Sequence, residues 1–392
     1  MKQHYIYYLV FFIILNNPLQ AQQSKRVLKE ITLTGTGYNL GLQHGKQLKT
    51  EIAEIVTKWK ANTTKYFKKD AEKTLDDFYK QANYEAAIKQ YTPDLYEEVR
   101  GIADGSGQAF RDILVLNLLD EFWVYIDELY NHHCSDVGVP SINGSTSYIA
   151  QNMDIEDYTD GYQTLIRLER TANRPEQLIL THPGLIALNG MNETGVGVVV
   201  NTIMQLQASN SGLPVAFVVR RIINSTDKAD LLQFIQEVHH ASGQNYIIGI
   251  RGDVYDFEAS ANQVVRFNPK NTNGTVYHTN HPIVNTDTKA WYEKHKPTDD
   301  NVEKLQNTNS YLRLAALETR MVANPIVSQD IIMDALRSKD NPENPVCRNN
   351  KGDGSGFTFA SVIMTLTGNL NFQITAGPPD ESEYKSVTFS SK

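Results

Sequence analysis

The 392-residue chain is 41% hydrophobic and 21% charged, close to the soluble globular average, which excludes a collagen-like, coiled-coil or mainly disordered protein. Its 37 Lys and Arg against 45 Asp and Glu give a formal charge of −8, so no basic footprint for nucleic acid or an anionic membrane exists and neither partner is expected. Two cysteines cannot build a disulfide framework or a four-thiolate zinc site, which leaves Cys134 and Cys347 as individual thiols or, in an oxidising compartment, as one pair.

In chain order, the first element is Met1-Lys2, an apolar run from Tyr5 to Leu15, a polar break at Asn16-Asn17-Pro18 and a cut expected after Ala21. This is the pattern of a secretory signal peptide over residues 1–21, and its apolar run falls short of the roughly 20 residues that span a bilayer. A secreted or periplasmic protein without a membrane anchor is expected. Helical periodicity follows in Leu48, Ile52, Ile55, Val56 and Trp59, and again in Leu95, Val99 and Ile102 after Pro93-Asp94, with a further apolar helix expected from Ile113 to Leu129. The charged stretch from Lys65 to Lys89 fits a solvated helix face. Past residue 134 the texture changes to β-branched and aromatic runs at Ser147–Ala150, Leu178–Thr181, Val196–Val200, Tyr246–Ile250, Val254–Glu258 and Ser361–Leu366. Helical patterns interrupt them around Leu231 to Val238, at 302–322 and at Ile331 to Ala335, and Asn273-Gly274 marks a turn. The chain is therefore α+β, divided into a helical segment 22–133 and a strand-rich segment 134–392.

Cys134 stands at that change of texture, in His132-His133-Cys134-Ser135. A thiol attacks only as thiolate, and with an ordinary pKa of about 8.5 it needs a base or a positive charge nearby. An imidazole from His239, His240, His278 or His281 is one source. The other needs no histidine: cutting the His133–Cys134 bond makes Cys134 a chain start, whose own α-amine, with a reference pKa of about 7.7–8.0, takes the thiol proton. The histidine pairs give no metal expectation, because adjacent strand residues face opposite ways and no HExxH spacing is present.

The string from Cys134 through Tyr148-Ile149-Ala150-Gln151-Asn152-Met153-Asp154 resembles the start of the processed large subunit in the isopenicillin-N acyltransferase family. That family is the peptidase C45 group of self-cleaving N-terminal-nucleophile hydrolases, where the nucleophilic cysteine precedes a Gly-Gln-Asn-aromatic-Asp strand. Further segments similar to the family follow in its order. They are Asn192-Glu193-Thr194-Gly195-Val196-Gly197-Val198 leading to Asn201, Ser242-Gly243-Gln244-Asn245-Tyr246 with Val254 to Ser260, and Cys347-Arg348 with Ser361 to Met364 and Gly377-Pro378-Pro379. Upstream, Gly41-Leu42-Gln43-His44-Gly45 and Leu116-Asn117-Leu118 resemble its small subunit. The likeness runs from about residue 36 to 379. Two departures stand out: His133 precedes the nucleophile where the family often has Gly, and Met153 takes the place of the aromatic.

The resemblance implies a four-layer αββα sandwich and a chain cut between His133 and Cys134 into small and large fragments that stay associated. It makes Cys134 the nucleophile both for that cut and for a later acyl-enzyme, with Asp154 accepting hydrogen bonds from the new amine. Asn245, and more weakly Asn201, suit an oxyanion hole, because a side-chain amide donates without adding charge, although an Asn beside a strand also serves as a turn cap. Arg348 either holds a substrate carboxylate or pairs inside the sandwich, and Cys347 aligns with a cysteine that only packs. No cofactor and no metal are implied. Family members transfer acyl groups from coenzyme A thioesters or hydrolyse amides; coenzyme A is cytoplasmic and this chain carries an export signal, so hydrolysis of a small N-acylated or peptide-like amide is expected, with acyl transfer to a small amine second. A papain-like thiol protease, which requires an imidazole beside Cys134, and a catalytically silent binding protein are the readings from other classes.

Overall fold

The computed structural model describes residues 26–126, 133–294, 304, 306 and 308–391. The signal-peptide expectation for 1–21 and the end of the helix expected to reach Leu129 lie outside the described residues. Among the described residues no helix is long and apolar enough to cross a membrane.

The apolar runs after residue 134 place consecutive side chains in different cores. In β7 (Val196–Thr202) Val198 and Val200 pack under helices while Val199 packs the other way. In β8 (Gln244–Ile250) Tyr246 and Ile248 oppose Ile247 in the same sense. In β12 (Gly356–Thr365) Val362 and Met364 join the core that holds Val199 and Ile247, whereas Ile363 faces a third core. A period of two with both faces buried produces continuous apolar runs, and three stacked cores require four layers.

Among the described residues, two sheets form the middle layers. The first has eight strands in the order β1 (Lys29–Leu33), β4 (Thr164–Leu168), β5 (Gln177–Thr181), β6 (Asn189–Asn192), β7, β8, β9 (Asp253–Ala259), β10 (Val264–Phe267). The second has six, β11 (Val276–His278), β2 (Ser135–Val139), β3 (Tyr148–Glu156), β12, β13 (Asn371–Ile374), β14 (Lys385–Val387). β2 and β3 pack across β7 and β8. Outside the first sheet lie α8 (Val215–Asn224) and the N-terminal helices; outside the second lie α11 (Asn309–Val322) and α12 (Gln329–Leu336). The αββα sandwich is thus present.

The first segment is not purely helical. β1 pairs in parallel with β4, Lys29 opposite Thr164 through Leu33 opposite Leu168, so residues before the expected cut supply an edge strand of the larger sheet. The helix expected from Ile113 is also two helices, α6 (Phe110–Leu116) and α7 (Leu119–Tyr125). Asn117 breaks them: its Nδ2 donates to the carbonyls of Ile113 and Gly184 at 2.8 and 2.9 Å, and its Oδ1 accepts from the Ile186 amide at 2.8 Å. Side-chain bonds of this kind compete with the helix ladder, and here they fasten the helical segment to the loop after β5.

The Gly41–Gly45 motif has a packing explanation. α1 (Gly37–Gln47) crosses α5 (Pro93–Ser106) so closely that a Cβ at Gly41 would run into the Glu98 carbonyl, and one at Gly101 into that of Tyr38. Glu98, positioned by that crossing, receives a two-pronged ion pair from Arg220 of α8 at 2.8 and 2.9 Å, both side chains buried. Removing either partner would strand the other, at a cost of about 3–5 kcal/mol.

Candidate active site

Cys134 immediately precedes β2, whose residues are all buried because the strand lies inside the sandwich. Its sulfur is 3.7 Å from Met153 Sδ and 3.7 Å from the Asp154 carbonyl oxygen. β2 and β3 pair antiparallel, with Ser135 opposite Asn152, which brings the two ends of the Cys134-to-Asp154 motif together. The residues between have structural work. Gln151 reaches across to the other sheet, donating to the Val200 carbonyl and accepting from Asn189 Nδ2 at 2.6 Å. Asn152 points outward and donates to the Leu336 and Val346 carbonyls at 2.7 and 3.0 Å, clamping the chain after α12.

Cys134, Met153 and Asp154 line a cavity whose wall is largely apolar, formed by side chains such as Leu185, Val200 and Val219. Burial raises the Cys134 thiol well above its ordinary value, and Asp136 and Asp154 add to the rise while Arg313 opposes it. Burial likewise lifts Asp154 to about 8, against the opposing effect of the Thr358 hydroxyl and of Arg313. Before any cut, the pair is therefore a neutral thiol beside a neutral carboxylic acid.

Arg313 was not singled out in the sequence. It projects from α11, fully buried, and donates from Nη1 to the carbonyls of His133 and Cys134 at 2.6 Å each and to Ser135 Oγ at 2.9 Å. Its Nη2 donates to Asn280 Oδ1 at 2.9 Å and its Nε to Asn309 Oδ1 at 2.8 Å. Burial lowers its pKa to about 10, against the pull of Asp154, Cys134 and Asp136, so it stays cationic at neutral pH. Asn280 in turn donates from Nδ2 to the Thr202 carbonyl at 3.0 Å. A cation aimed at the carbonyl on each side of Cys134 can stabilise negative charge developing on either oxygen. The sequence signal was a charged residue on a buried helix stripe, since Arg313, Ala316, Leu317 and Met321 share one face.

The other expected residues lie elsewhere. Asn201 and Asn245 are cross-strand partners in β7 and β8, joined by a 3.4 Å bond from Asn245 Nδ2 to Asn201 Oδ1. Asn201 Nδ2 also meets His278 Nδ1 at 3.0 Å and the Thr279 carbonyl. Neither Asn makes a hydrogen bond to Cys134 or lines its cavity. Arg348 is mostly buried, with Nη1 sealed from solvent and without a hydrogen-bond partner. Its backbone exchanges bonds with Thr358, but it does not line the Cys134 cavity either. His133 places its Nδ1 3.0 Å from Asn309 Oδ1.

No described histidine is hydrogen-bonded to the Cys134 sulfur. His278 is committed to Glu258 at 2.8 Å, which, against the effect of burial, holds its pKa above the ordinary value. His281 binds Ser310 Oγ at 2.7 Å and stacks on Tyr311. Both cysteines are free thiols.

The family model described as acyl-coenzyme A:6-aminopenicillanic acid acyl-transferase matches residues 142–380, a stretch that begins after Cys134 and includes Asp154, Asn201, Asn245, Arg313 and Arg348. The acyl-coenzyme A:6-aminopenicillanic-acid-acyltransferase 40 kDa form of Emericella nidulans is 25% identical over 366 residues, 92% of this chain and 96% of that protein. Among solved structures, a variant of the conjugated bile acid hydrolase from Clostridium perfringens is 12% identical with a TM-score of 0.44, covering 65% of this chain and 92% of its own. Penicillin V acylase from Agrobacterium tumefaciens is 13% identical with a TM-score of 0.40, covering 65% and 86%. With its two-sheet sandwich and a family match over more than half its length, the chain belongs to the acyl-coenzyme A:6-aminopenicillanic acid acyl-transferase family.

Proposed function

We propose that this protein is an exported, self-processing cysteine amidohydrolase that cleaves the amide bond of small N-acylated or peptide-like compounds. The observation that carries the reading is the setting of Cys134: a thiol opening a buried strand at the wall of an apolar cavity, beside a carboxylic acid, with no described imidazole on its sulfur. Burial keeps that thiol protonated, so attack on a bound substrate needs a base next to it, and a freed α-amine is such a base.

In the first step Cys134 Sγ attacks the His133 carbonyl carbon. The Cys134 nitrogen leaves with the thiol proton, and a thioester joins the two residues. Arg313 Nη1, already bonded to the His133 oxygen at 2.6 Å, stabilises the charge that develops there. Water then hydrolyses the thioester, leaving a His133 carboxylate and a Cys134 α-amine. In turnover that amine takes the thiol proton, the thiolate attacks the substrate carbonyl, the leaving amine departs with the proton, and water releases the acyl group. Asp154 orients the amine as its hydrogen-bond acceptor. Export rests on the leader at 1–21 and predicts a secreted or periplasmic chain starting at Gln22.

Acyl transfer to a small amine shares the same acyl-enzyme and differs only in the acceptor; the family match favours it as the second reading. Intact mass of the native protein beside Cys134→Ala tests the processing: two polypeptides in the first, one in the second, and a larger piece beginning Cys134-Ser135. A panel of N-acyl amino acids, penicillins and bile-salt conjugates, with and without an acyl-thioester donor, separates the reactions. Release that strictly requires the donor overturns the hydrolase assignment.

A further inference from the structure

Asp120 of α7 lines the same cavity as Cys134. Apart from Asp154 beside the thiol, it is the one carboxylate in the wall among the described residues, and that wall holds no described Lys, Arg or His. Leu119, Leu188, Val200, Val215 and Ala216 are among the apolar residues that line the cavity with it. The carboxylate is fixed from the protein side, with Oδ2 accepting from Thr202 Oγ1 at 2.7 Å and from Gln244 Nε2 at 2.8 Å. Both donors are neutral, so they set its direction without cancelling its charge. Oδ1 has no hydrogen-bond partner among the described residues, and the residue is only partly covered.

We propose that Asp120 is a specificity-determining residue that binds an ammonium group of the substrate, so that the substrates are small amides whose apolar portion carries a primary or secondary amine. The proposal rests on the amide-cleaving reading above. A purely apolar ligand would desolvate the Asp120 carboxylate without compensation, and an anionic one would meet like charge; an ammonium replaces the lost water with a charge-assisted hydrogen bond. The division of labour is physical. The segment before the cut contributes the group that recognises the ligand, and the segment after it contributes the nucleophile.

The test is calorimetric titration of the full-length protein, of Asp120→Asn and of Cys134→Ala with n-hexylamine, 1-hexanol and hexanoate. Hexylamine is expected to bind roughly tenfold more tightly than hexanol, the scale of one hydrogen bond to a charged group, with hexanoate weakest. The gap between amine and alcohol should close in Asp120→Asn and persist in Cys134→Ala. Equal binding of amine and alcohol by the native protein overturns the proposal, and so does a gap that survives Asp120→Asn. A preference found only in Cys134→Ala also overturns it, because the freed amine of Cys134 would then be the partner of Asp120. Amide turnover is scored separately: amine preference without cleavage of any amide sinks the reaction assignment and leaves the Asp120 assignment standing.

Discussion

Cys134 and Cys347 are both buried thiols, and burial raises the pKa of each. Their surroundings differ in what could undo that. Cys347 Sγ donates to Asp380 Oδ1 at 3.0 Å, and Asp380 is itself held by Lys339 Nζ at 2.5 Å and Asn349 Nδ2 at 3.0 Å. That thiol is pinned as a proton donor and does not line the cavity of Cys134. Cys134 instead faces that cavity and follows a carbonyl gripped by a cation. Depth of burial does not distinguish a reactive cysteine from a packing one; access and the groups able to change its protonation do. Replacing each by Ala is the strongest test. Cys134→Ala should leave a single uncut chain with turnover reduced on the order of 10⁴-fold or more, while Cys347→Ala should still be cut. A cut Cys134→Ala chain, seen as two bands by mass, would end the contrast.

The acids beside the two thiols should respond to pH in opposite senses. Asp154, lifted to about 8 from 3.8, contributes stability that is present below its unfolded value and lost as pH rises through about 8. Asp380 is held low by Cys347, Lys339 and Asn349 although burial opposes them; its contribution is present above the ordinary carboxylate range and lost as pH falls. In the uncut Cys134→Ala background, where no freed amine can pair with Asp154, adding Asp154→Asn should remove a fall in stability between pH 5 and 8.5 amounting to about 4 kcal/mol at most. Urea unfolding at the two pH values measures it, and identical slopes with and without Asp154 would show that the acid does not feel its burial.

Arg313 sharpens the same contrast, since no described cation is hydrogen-bonded to Cys347. Arg313→Met strips a cation from the carbonyls of His133 and Cys134 and from Asn280 Oδ1, at an expected cost of about 3–5 kcal/mol. Arg313→Lys keeps a charge but cannot reproduce the fork. If the guanidinium polarises the scissile carbonyl, the Lys variant should be processed more slowly than the native chain but faster than Met at matched stability. Equal rates for Lys and Met, followed by mass after expression at low temperature, would reduce Arg313 to a structural role.

How much of this was legible in the sequence follows from where the information lies. The strands β7, β8 and β12 were visible because both faces are buried, which leaves apolar runs in their sequences, and β9 by its Val, Tyr and Phe between polar residues. β2 was missed because its inward face carries Asp136, with Gly138 in place of a larger side chain. That breaks the apolar alternation a strand is recognised by. Cys134 and Asp154 were found because one motif joins them. Arg313 lies 179 residues from Cys134, and Asp120 meets Thr202 and Gln244 only through the fold. Asn201 and Asn245 were assigned by likeness; in the structure Asn201 meets His278 and Asn245 bonds to Asn201. The break at Asn117 was hidden because its partners, Gly184 and Ile186, belong to a distant loop.

The smallest expected effect is at the second thiol. Cys347→Ala removes one sulfur from a fully covered position and one hydrogen bond to a carboxylate that keeps Lys339 and Asn349. The transfer and small-cavity losses together amount to about 1–2 kcal/mol. Cys347→Ser restores a donor of similar reach toward Asp380, so it should recover part of that loss, and both variants should still yield a chain beginning at Cys134. Thermal unfolding ranks the three proteins on one axis and N-terminal sequencing places them on the other. A Cys347 variant that is stable yet uncut would mean that the two thiols act together, and the distinction drawn from their surroundings would fail at its weaker side.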